Sequence, residues 1–536
     1  MQGRSGTSGA AFFLNAASGA PARQSGFPRT LQSSFACARQ PQDFLSDMTD
    51  KPSRRPAAAH QPHAPSRMSA LHLAPDSLAF ALDGAAQAVG AVRAGSALPA
   101  AIQTVVASGK HAAARGAIQD IAYRTMRKLA LADALLHKLV RKAPPPHVSN
   151  VLVCAFALLA DDEAHAAYAP FTIVDQAVSS IAARREFAFA KGLVNAVLRN
   201  FLRERDALIG EAMQSPVARW NYPQWWIDAV RRAQPDAWER ILAAGNVQGP
   251  LTLRVNVRHM TVSAYLDVLK SEHIEARAAG QHAVRLDTPM PVDRIPGFAD
   301  GVVSVQDAGA QLAAQCLDVR DGMRVLDACA APGGKTGHIL ELANVELVAL
   351  ESDAARAGRI AQNLERLELQ ADIRVGDAGD PSQWFDGAPF DRILADVPCS
   401  ASGIVRRHPD IRWLRRASDI GALVAEQRRI LTALWPLVAK GGELLYVTCS
   451  IFPEEGEEQA RWFGAAQEDA VRLDAPGQLL PTAARASADA VQESPDGTHA
   501  ERAGPGEAEN AGPPSSVNAE TFADHDGFFY ARFQKR

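Results

Sequence analysis

The sequence predicts a multidomain protein in which an all-α domain precedes an α/β domain of the Rossmann-like, doubly wound type. Within residues 71–215, apolar residues recur at spacings near three and four, as on one face of a helix, for example at Ile118, Ala122, Met126, Leu129, Leu136 and Val140. From Met323 onward, short apolar runs alternate with stretches of helical length. That alternation indicates a parallel sheet covered by helices.

The second half of the chain divides into two regions. Residues 216–320 contain a Trp-rich connector and the alternating run LTLRVNV, which predict a connector followed by a small α/β subdomain. Residues 321–536 form the sheet domain, whose expected strands are RVLDA, ELVALE, ADIRV, DRILAD and GELLYVTC. The apolar, aromatic run GFFYARF near the end predicts one further strand.

Two segments have the composition of disordered chain. Residues 1–70 are rich in Gly, Ser, Pro, Gln and Ala without periodicity, so we expect a disordered leader. There are two alternatives for this segment: it is a transit peptide, or translation starts near Met68. Residues 474–524 are rich in Ala, Gly, Pro, Ser and acids, and they predict a disordered insertion in the sheet domain.

Charge and cysteine content restrict the class of protein. The formal net charge is −4, but acids are concentrated in residues 474–524 and bases in the leader, so the remainder is close to neutral. A nucleic-acid footprint would therefore be a local cluster of bases. No apolar run has the length of a membrane span, and scattered cysteines with no zinc-site spacing suit reduced thiols in the cytosol: Cys37, Cys154, Cys316, Cys329, Cys399 and Cys449.

The segment VLDACAAPGGK has the organisation of a cofactor loop. It comprises a strand, an acid, a loop of small residues and the start of a helix. Open α/β sheets bind ligands at this point, because small residues admit the ligand to the backbone and the helix offers N–H groups. The glycine spacing differs from that of dinucleotide-binding loops and P-loops. We predict a cofactor site formed by Cys329, Ala330, Ala331, Pro332, Gly333, Gly334 and Lys335.

Acids after the next two strands extend this predicted site. Glu351 ends the second strand, where an acid commonly binds the ribose hydroxyls of a nucleoside cofactor. Asp377 follows the third strand, close to where an adenine would lie. For each acid, a solvated position at a strand end is the alternative.

Two cysteines follow neighbouring strands at the same predicted edge. The fourth strand leads into Asp396 and Cys399, and the fifth leads into Cys449. A single cysteine of this kind usually serves packing, but two at a ligand edge indicate chemistry. A thiolate that adds to C6 of a cytosine makes C5 able to accept a methyl group, after which loss of the C5 proton and of the thiol restores the ring. These three residues are the candidates for that chemistry.

Three motifs, DACAAPGGKT, DVPCSASGIVRRHPDIRW and TCSIFPEEGE, resemble those of the NOL/NOP2/Sun family of RNA cytosine-C5 methyltransferases. Residues 187–201 (FAFAKGLVNAVLRNF) resemble the NusB-like RNA-binding domain fused to the bacterial small-subunit rRNA member of that family. The resemblance covers about residues 75–473 and the last strand. It implies a class I S-adenosylmethionine-dependent methyltransferase domain, preceded by an all-α NusB-like domain.

The resemblance also implies a role for each catalytic candidate. Cys449 of the TCS motif is the expected nucleophile, and Cys399 of the PCS motif is expected to assist product release. Asp396 is expected to contact the target cytosine and to line the cofactor site.

The cofactor expected from the resemblance is S-adenosylmethionine, bound by residues 329–335 with Glu351 at the ribose and Asp377 near the adenine. Relatives often have Asp where this chain has Glu351, so Asp353 is a second candidate for the ribose contact.

The expected substrate is one cytosine of 16S rRNA, at position 967, in naked RNA or in a small-subunit assembly intermediate. We expect a cytoplasmic monomer that uses no metal and no membrane. The alternatives are a methyltransferase for transfer RNA or for another ribosomal site, and a NusB-like RNA-binding or transcription factor with an inactive catalytic domain. A DNA cytosine methyltransferase would instead place its nucleophile at Cys399.

A cluster of bases directly follows the Cys399 motif. Residues 406–416 (RRHPDIRWLRR) contain five arginines, one histidine and one tryptophan. Arginine at this density beside an aromatic residue favours RNA contact over a solvated helix face. Lys191, Asn195 and Arg199 lie on one predicted helix face and offer a second candidate RNA surface.

Overall fold

The computed structural model describes residues 73–107, 112–161, 166–482 and 524–536. The predicted leader at residues 1–70 and most of the insertion predicted at residues 474–524 lie outside these ranges. Within them, no helix is both long enough and apolar enough to cross a membrane.

The helical part is built around a helix that is apolar on nearly every side. This helix, α5, begins at Pro146, where a missing N–H suits the first turn, and it packs against α1. The hydroxyl of Ser77 accepts a hydrogen bond from Phe80 N and caps α1. The helices are α1 Leu78–Arg93, α2 Leu98–Ala107, α3 Arg115–Met126, α4 Leu129–Leu139, α5 Pro146–Leu159, α6 Pro170–Ala182, α7 Lys191–Arg203 and α8 Arg205–Ala212.

The connector is helical, and a small antiparallel sheet follows it. Its helices are α9 Pro216–Trp220, α10 Gln224–Ala233 and α11 Trp238–Ala244, with α12 Val262–Ser271 packed on the sheet. The strands are β1 Leu251–Val255, β2 Ala276–Ala278, β3 Ala283–Leu286 and β4 Val303–Val305. They form a four-stranded sheet in the order β2-β3-β1-β4.

The last part of the chain is a seven-stranded sheet in the order β10-β11-β9-β8-β5-β6-β7. Its strands are β5 Arg324–Asp327, β6 Glu346–Glu351, β7 Asp372–Val375, β8 Phe390–Asp396, β9 Val438–Thr448, β10 Ala470–Leu479 and β11 Phe528–Lys535. The accompanying helices are α13 Ala308–Cys316, α14 Gly334–Leu342, α15 Ala354–Arg366, α16 Ile411–Leu414, α17 Ala417–Leu434 and α18 Glu457–Ala466.

Strand order determines where a ligand can bind. Strands β9, β8, β5, β6 and β7 are parallel. From β5 the chain runs outward through β6 and β7 and then returns to β8 on the other side of β5, so the order reverses between β5 and β8. A crevice outside the carboxyl ends of these two strands is the usual ligand site of such a sheet.

The predicted fold class is confirmed, with a helical N-terminal region and a mixed α/β sheet domain. The predicted start of the insertion differs from the structure, because β10 continues to Leu479 and pairs antiparallel with β11. Pro476 and Gly477 made this stretch resemble a loop. A register irregularity between Leu473 and Gly477 lets the strand include the proline.

Candidate active site

Several predicted functional residues, together with Asp327, lie along one edge of the seven-stranded sheet. Asp327 ends β5, Glu351 ends β6 and Asp396 ends β8, while Cys449 directly follows β9. Since these strands are parallel, their carboxyl ends lie at the same edge. The structure therefore brings the predicted cofactor and catalytic residues to one side of the sheet.

The loop after β5 leaves the N-terminus of α14 open toward this edge. Gly333 has a φ of +95°, and a Cβ there would lie 3.2 Å from the Cα of Ile360, so this position requires glycine. A Cβ on Gly334 would meet nothing closer than Gln306 Nε2 at 3.9 Å. The N–H groups of the first turn of α14 are thus available to an anionic group.

Of the two acids considered for a ribose contact, Glu351 is the one that reaches the loop. Its buried carboxylate accepts a hydrogen bond from Ala331 N at 3.3 Å and another from Asp353 N at 3.1 Å. The side chain of Asp353 caps α15 by accepting from Ala355 N and Arg356 N at 2.7 and 3.0 Å. Asp353 is therefore the N-cap of α15, whereas Glu351 contacts the loop.

Asp327 is a functional candidate that is not among the predicted site residues. Its carboxyl is buried and accepts a hydrogen bond from Thr336 Oγ1 at 2.7 Å through Oδ2. Within the described part of the chain, Oδ1 has no hydrogen-bond partner. Burial raises the pKa of Asp327 to about 7. The acid that ends β5 beside a glycine loop was the available signal in the sequence.

Asp377 lies near the outer end of the edge and is paired with Arg429. It accepts from Arg429 Nη2 and from Gly379 N, both at 2.8 Å. Partial burial acts to raise the pKa of Asp377, but these hydrogen bonds outweigh burial and hold it below its usual value. Asp377 is therefore an ionised acceptor in the structure.

The two cysteines are in contact. Their Sγ atoms are 3.4 Å apart, although the residues are separated by 50 positions in the chain. The hydrogen bond to Cys449 and burial raise the pKa of Cys399 well above its usual value. Cys399 therefore keeps its proton and can donate it to the Cys449 sulfur.

Lys335, predicted as a cofactor-loop residue, forms an ion pair with Asp396. Lys335 Nζ lies 2.6 Å from Asp396 Oδ2. Burial acts to lower the pKa of Lys335, but the charges of Asp396 and of Cys449 act in the opposite direction, and the net shift is upward. The ammonium group thus stays charged at the edge where both cysteines lie.

The prediction that residues 406–416 form an RNA-contact patch is wrong for Arg406 and Arg412, whose side chains are buried. Arg406 is only 1% exposed and pairs with Asp524 and Asp526, which return from the far end of the chain. Arg412 is fully buried and donates to Asn221 O and Gly245 O.

The same segment packs against the helical part instead. Asp410 accepts a hydrogen bond from Leu98 N at 2.8 Å, and Trp413 and Leu414 pack against the helical core. Arg415 donates to Cys399 O and Ser400 O at 3.2 and 3.1 Å. These arginines satisfy buried carboxylates and carbonyls, which the local sequence cannot distinguish from phosphates.

The second candidate RNA surface remains accessible on α7. Lys191 and Arg199 are exposed, and Arg199 Nε donates to Asn195 Oδ1 at 3.0 Å. The RNA contact expected there stays a prediction.

Comparisons with known proteins identify close relatives. The family described as 16S rRNA methyltransferase RsmB/F matches residues 314–534, and a ferredoxin-like domain of RsmF/B-like methyltransferases matches residues 222–293. The ribosomal RNA small subunit methyltransferase B of Pseudomonas syringae pv. tomato is 43% identical over 368 residues, which cover 68% of this chain and 82% of the relative. The protein of the same description from Cronobacter sakazakii is 41% identical over 369 residues, which cover 67% of this chain and 84% of that one.

Among solved structures, the crystal structure of PH0851 superposes with a TM-score of 0.61 at 23% identity. The match covers 85% of this chain and 99% of that one. This likeness supports the fold.

Proposed function

The chain belongs to the 16S rRNA methyltransferase RsmB/F family, and from that membership we propose that it methylates C5 of cytosine 967 in 16S rRNA. The reaction proceeds through a covalent bond between Cys449 and C6 of the base. The substrate is the RNA itself or a small-subunit assembly intermediate in the cytoplasm, bound by a monomer.

One observation carries the chemical part of this proposal. The sulfurs of Cys399 and Cys449 are in contact at 3.4 Å, at the sheet edge that also holds the Lys335–Asp396 pair and the glycine loop. A packing role for two thiols would not require a charged lysine and an acid beside them. A ligand edge that combines a nucleophile, an acid and a cation suits covalent catalysis on a polar ring.

The roles of the residues follow from the needs of the reaction. The Cys449 thiolate forms a bond to C6, and the electron density displaced onto the ring makes C5 nucleophilic. Asp396 contacts the base, and the ion pair with Lys335 holds that carboxylate in place. After methylation, the C5 proton passes to a water molecule, its electron pair forms the C5–C6 double bond, and the C6–S pair returns to Cys449. The thiol of Cys399 stabilises that departing sulfur by hydrogen bonding.

The edge also has the groups that S-adenosylmethionine needs, and this molecule supplies an electrophilic methyl group. Gly333 and Gly334 leave room at the start of α14, whose N–H groups suit a carboxylate. Asp327 Oδ1, which has no hydrogen-bond partner among the described residues, suits an ammonium donor. Glu351 would bind the ribose hydroxyls and Asp377 the adenine end. The remaining small residues that would line this site are Cys329, Ala330, Ala331 and Pro332.

RNA recognition is assigned to the helical domain, residues 71–215, as a NusB-like module, and the exposed α7 face with Lys191 and Arg199 is its candidate contact. Bisulfite sequencing of RNA from a deletion strain tests the target. Loss of the mark at position 967 is expected. Loss in transfer RNA or at another ribosomal cytosine would contradict the assigned substrate.

The catalytic roles are tested with two cysteine variants and one matched control. We expect Cys449→Ala to abolish methyl transfer to 16S rRNA and Cys399→Ala to accumulate a protein–RNA adduct that survives a denaturing gel. Cys316→Ala, at the end of α13, should behave as the unchanged protein. Full activity of Cys449→Ala, or no adduct with Cys399→Ala, would contradict these roles.

A further inference from the structure

Four buried side chains connect the two cysteine-bearing loops. Ser400 and Ser402 follow Cys399 in what we call the first loop, residues 397–403, while Ser450 and Glu455 follow Cys449 in the second loop, residues 449–455. Each of the four is at most 1% exposed. None of them is among the residues assigned to contact the cytosine or the cofactor.

The carboxylate of Glu455 accepts hydrogen bonds from both loops. Oε1 accepts from Ser400 N at 2.8 Å and from Gln427 Nε2 at 3.1 Å. Oε2 accepts from Ser450 Oγ at 2.7 Å. Ser400 directly follows Cys399 and Ser450 directly follows Cys449, so one carboxylate fixes the residues next to both thiols.

The chain of serine hydroxyls ends at Glu455, whose two carboxylate oxygens both accept hydrogen bonds. Ser400 Oγ donates to Ser402 Oγ at 3.0 Å, and Ser402 Oγ lies 3.0 Å from Ser450 Oγ. The oxygens of Ser402 and Ser450 also accept from backbone N–H groups of the second loop at 2.9 and 3.1 Å. Their protons therefore point along the chain toward Glu455. A carboxylate accepts hydrogen bonds at both of its oxygens. The nitrogen of a glutamine amide in the same place could not accept one.

Gln427 extends the same contacts to α17. Gln427 Nε2 also donates to Pro398 O at 3.0 Å, directly before Cys399. The first loop is thus held on both sides of its cysteine, by Gln427 at residue 398 and by Glu455 at residue 400. The attack on C6 requires only the Cys449 sulfur. The contacts that hold the first loop therefore matter for release, in which Cys399 also takes part.

We propose that Glu455 is a positioning residue that keeps the two cysteine loops in register, so that Cys399 reaches the Cys449 sulfur during product release. This inference rests on the proposed function. In release, the C6–S bond breaks and its electron pair returns to Cys449, where the Cys399 thiol stabilises the charge. Without the carboxylate, the loops lose their shared acceptor, and release slows while attack continues.

The test compares Glu455→Gln with Glu454→Gln in the full-length protein, using 16S rRNA and S-adenosylmethionine. Glu454 is the exposed neighbour and undergoes the same chemical change. For Glu455→Gln we expect adduct formation in a single turnover to stay within about twofold of the unchanged protein. Steady-state kcat should fall at least about tenfold, as for loss of a hydrogen bond to a charged group, with gel-stable adduct accumulating and KM for RNA unchanged. Glu454→Gln should match the unchanged protein in each measurement.

Three results would overturn the proposal: an unchanged kcat in Glu455→Gln, a slowed adduct formation, or a loss of activity that follows the folded fraction measured by circular dichroism. If Glu455→Gln does not fold, Ser450→Ala takes its place under the same criteria, because it removes the Oε2 contact and keeps that of Oε1. If the unchanged protein forms no 5-methylcytosine, or Cys399→Ala forms no adduct, the proposed function has failed. If both succeed while Glu455→Gln matches Glu454→Gln, the positioning role alone has failed.

Discussion

Replacing Arg254 with methionine should destabilise the protein and weaken cofactor binding together. Arg254 lies on β1 of the small sheet with a fully buried side chain. Its Nε and Nη2 donate to both oxygens of Glu341 on α14 at 2.8 and 2.6 Å. Its Nη1 donates to Gly334 O and Gln306 Oε1, each at 2.7 Å. The small sheet thereby supports the helix that begins at the cofactor loop.

The size of the effect follows from what Arg254→Met leaves behind. The carboxylate of Glu341 is 1% exposed and would remain buried without a cation. Removing one partner of a buried ion pair costs about 3 to 5 kcal/mol of the free energy of unfolding, mainly because of the uncompensated charge. Replacing both partners with apolar residues removes that charge, so the protein with both Arg254→Met and Glu341→Met should be more stable than either single variant.

Urea unfolding of the two single variants and the double variant gives the coupling free energy, and calorimetric titration with S-adenosylmethionine gives the affinity. Arg277→Met is the matched control, because Arg277 is 59% exposed and its nearest contact to Asp287 is 3.5 Å. That variant should change the free energy of unfolding by less than about 1 kcal/mol. The reasoning is refuted if Arg254→Met costs less than about 1 kcal/mol, or if the double variant is no more stable than Arg254→Met.

Two further predictions concern the sheet edge. Burial raises the pKa of Asp327 to about 7, so the folded state favours the protonated carboxyl. This preference stabilises the fold fully below the ordinary pKa of an aspartate, and the stabilisation is lost as the pH rises toward 7. Asp327→Asn should thus gain stability relative to the unchanged protein between pH 5 and pH 8, and a difference in melting temperature that is independent of pH would contradict this. Gly403→Ala would place its Cβ 2.1 Å from Gly527 O, so it should lower the free energy of unfolding by more than about 2 kcal/mol. A Cβ on Gly421, inside α17, would have no atom of the described residues outside its own helix backbone within 4 Å, so Gly421→Ala should raise the free energy of unfolding by about 0.5 to 1 kcal/mol. Equal melting temperatures for the two glycine variants would contradict the steric argument.

The sequence was sufficient to predict the edge, because strand ends are a local property. Each parallel strand is a short apolar run, and the polar residue after it must lie at the carboxyl edge. Glu351, Asp396 and Cys449 were placed correctly relative to the sheet for that reason. Predicting the contact between Cys399 and Cys449 also requires that β8 and β9 be neighbours in the sheet. The consecutive order of these two strands in the chain favours this.

The sequence was insufficient where a side chain meets a partner far along the chain. Arg406 resembled a phosphate-binding residue because its neighbours are basic and aromatic. Its partners, Asp524 and Asp526, lie 118 and 120 positions away beyond a low-complexity segment. A buried arginine and an RNA-binding arginine have the same local pattern, and the distant carboxylates decide between them. Glu455 was missed for the same reason, since its partner Ser400 is 55 positions away.

The observed contacts of residues 406–416 link the two halves of the protein to each other. As an RNA patch, the segment would have contacted substrate directly. In the structure it contacts the helical part through Asp410 and Trp413, and it contacts the first cysteine loop through Arg415. One short stretch of backbone therefore connects the helical part, where RNA binding is proposed, with the thiol of Cys399. These contacts fix the helical part relative to the reactive edge, so an RNA held as proposed on the helical part would be presented to that edge at a constant distance.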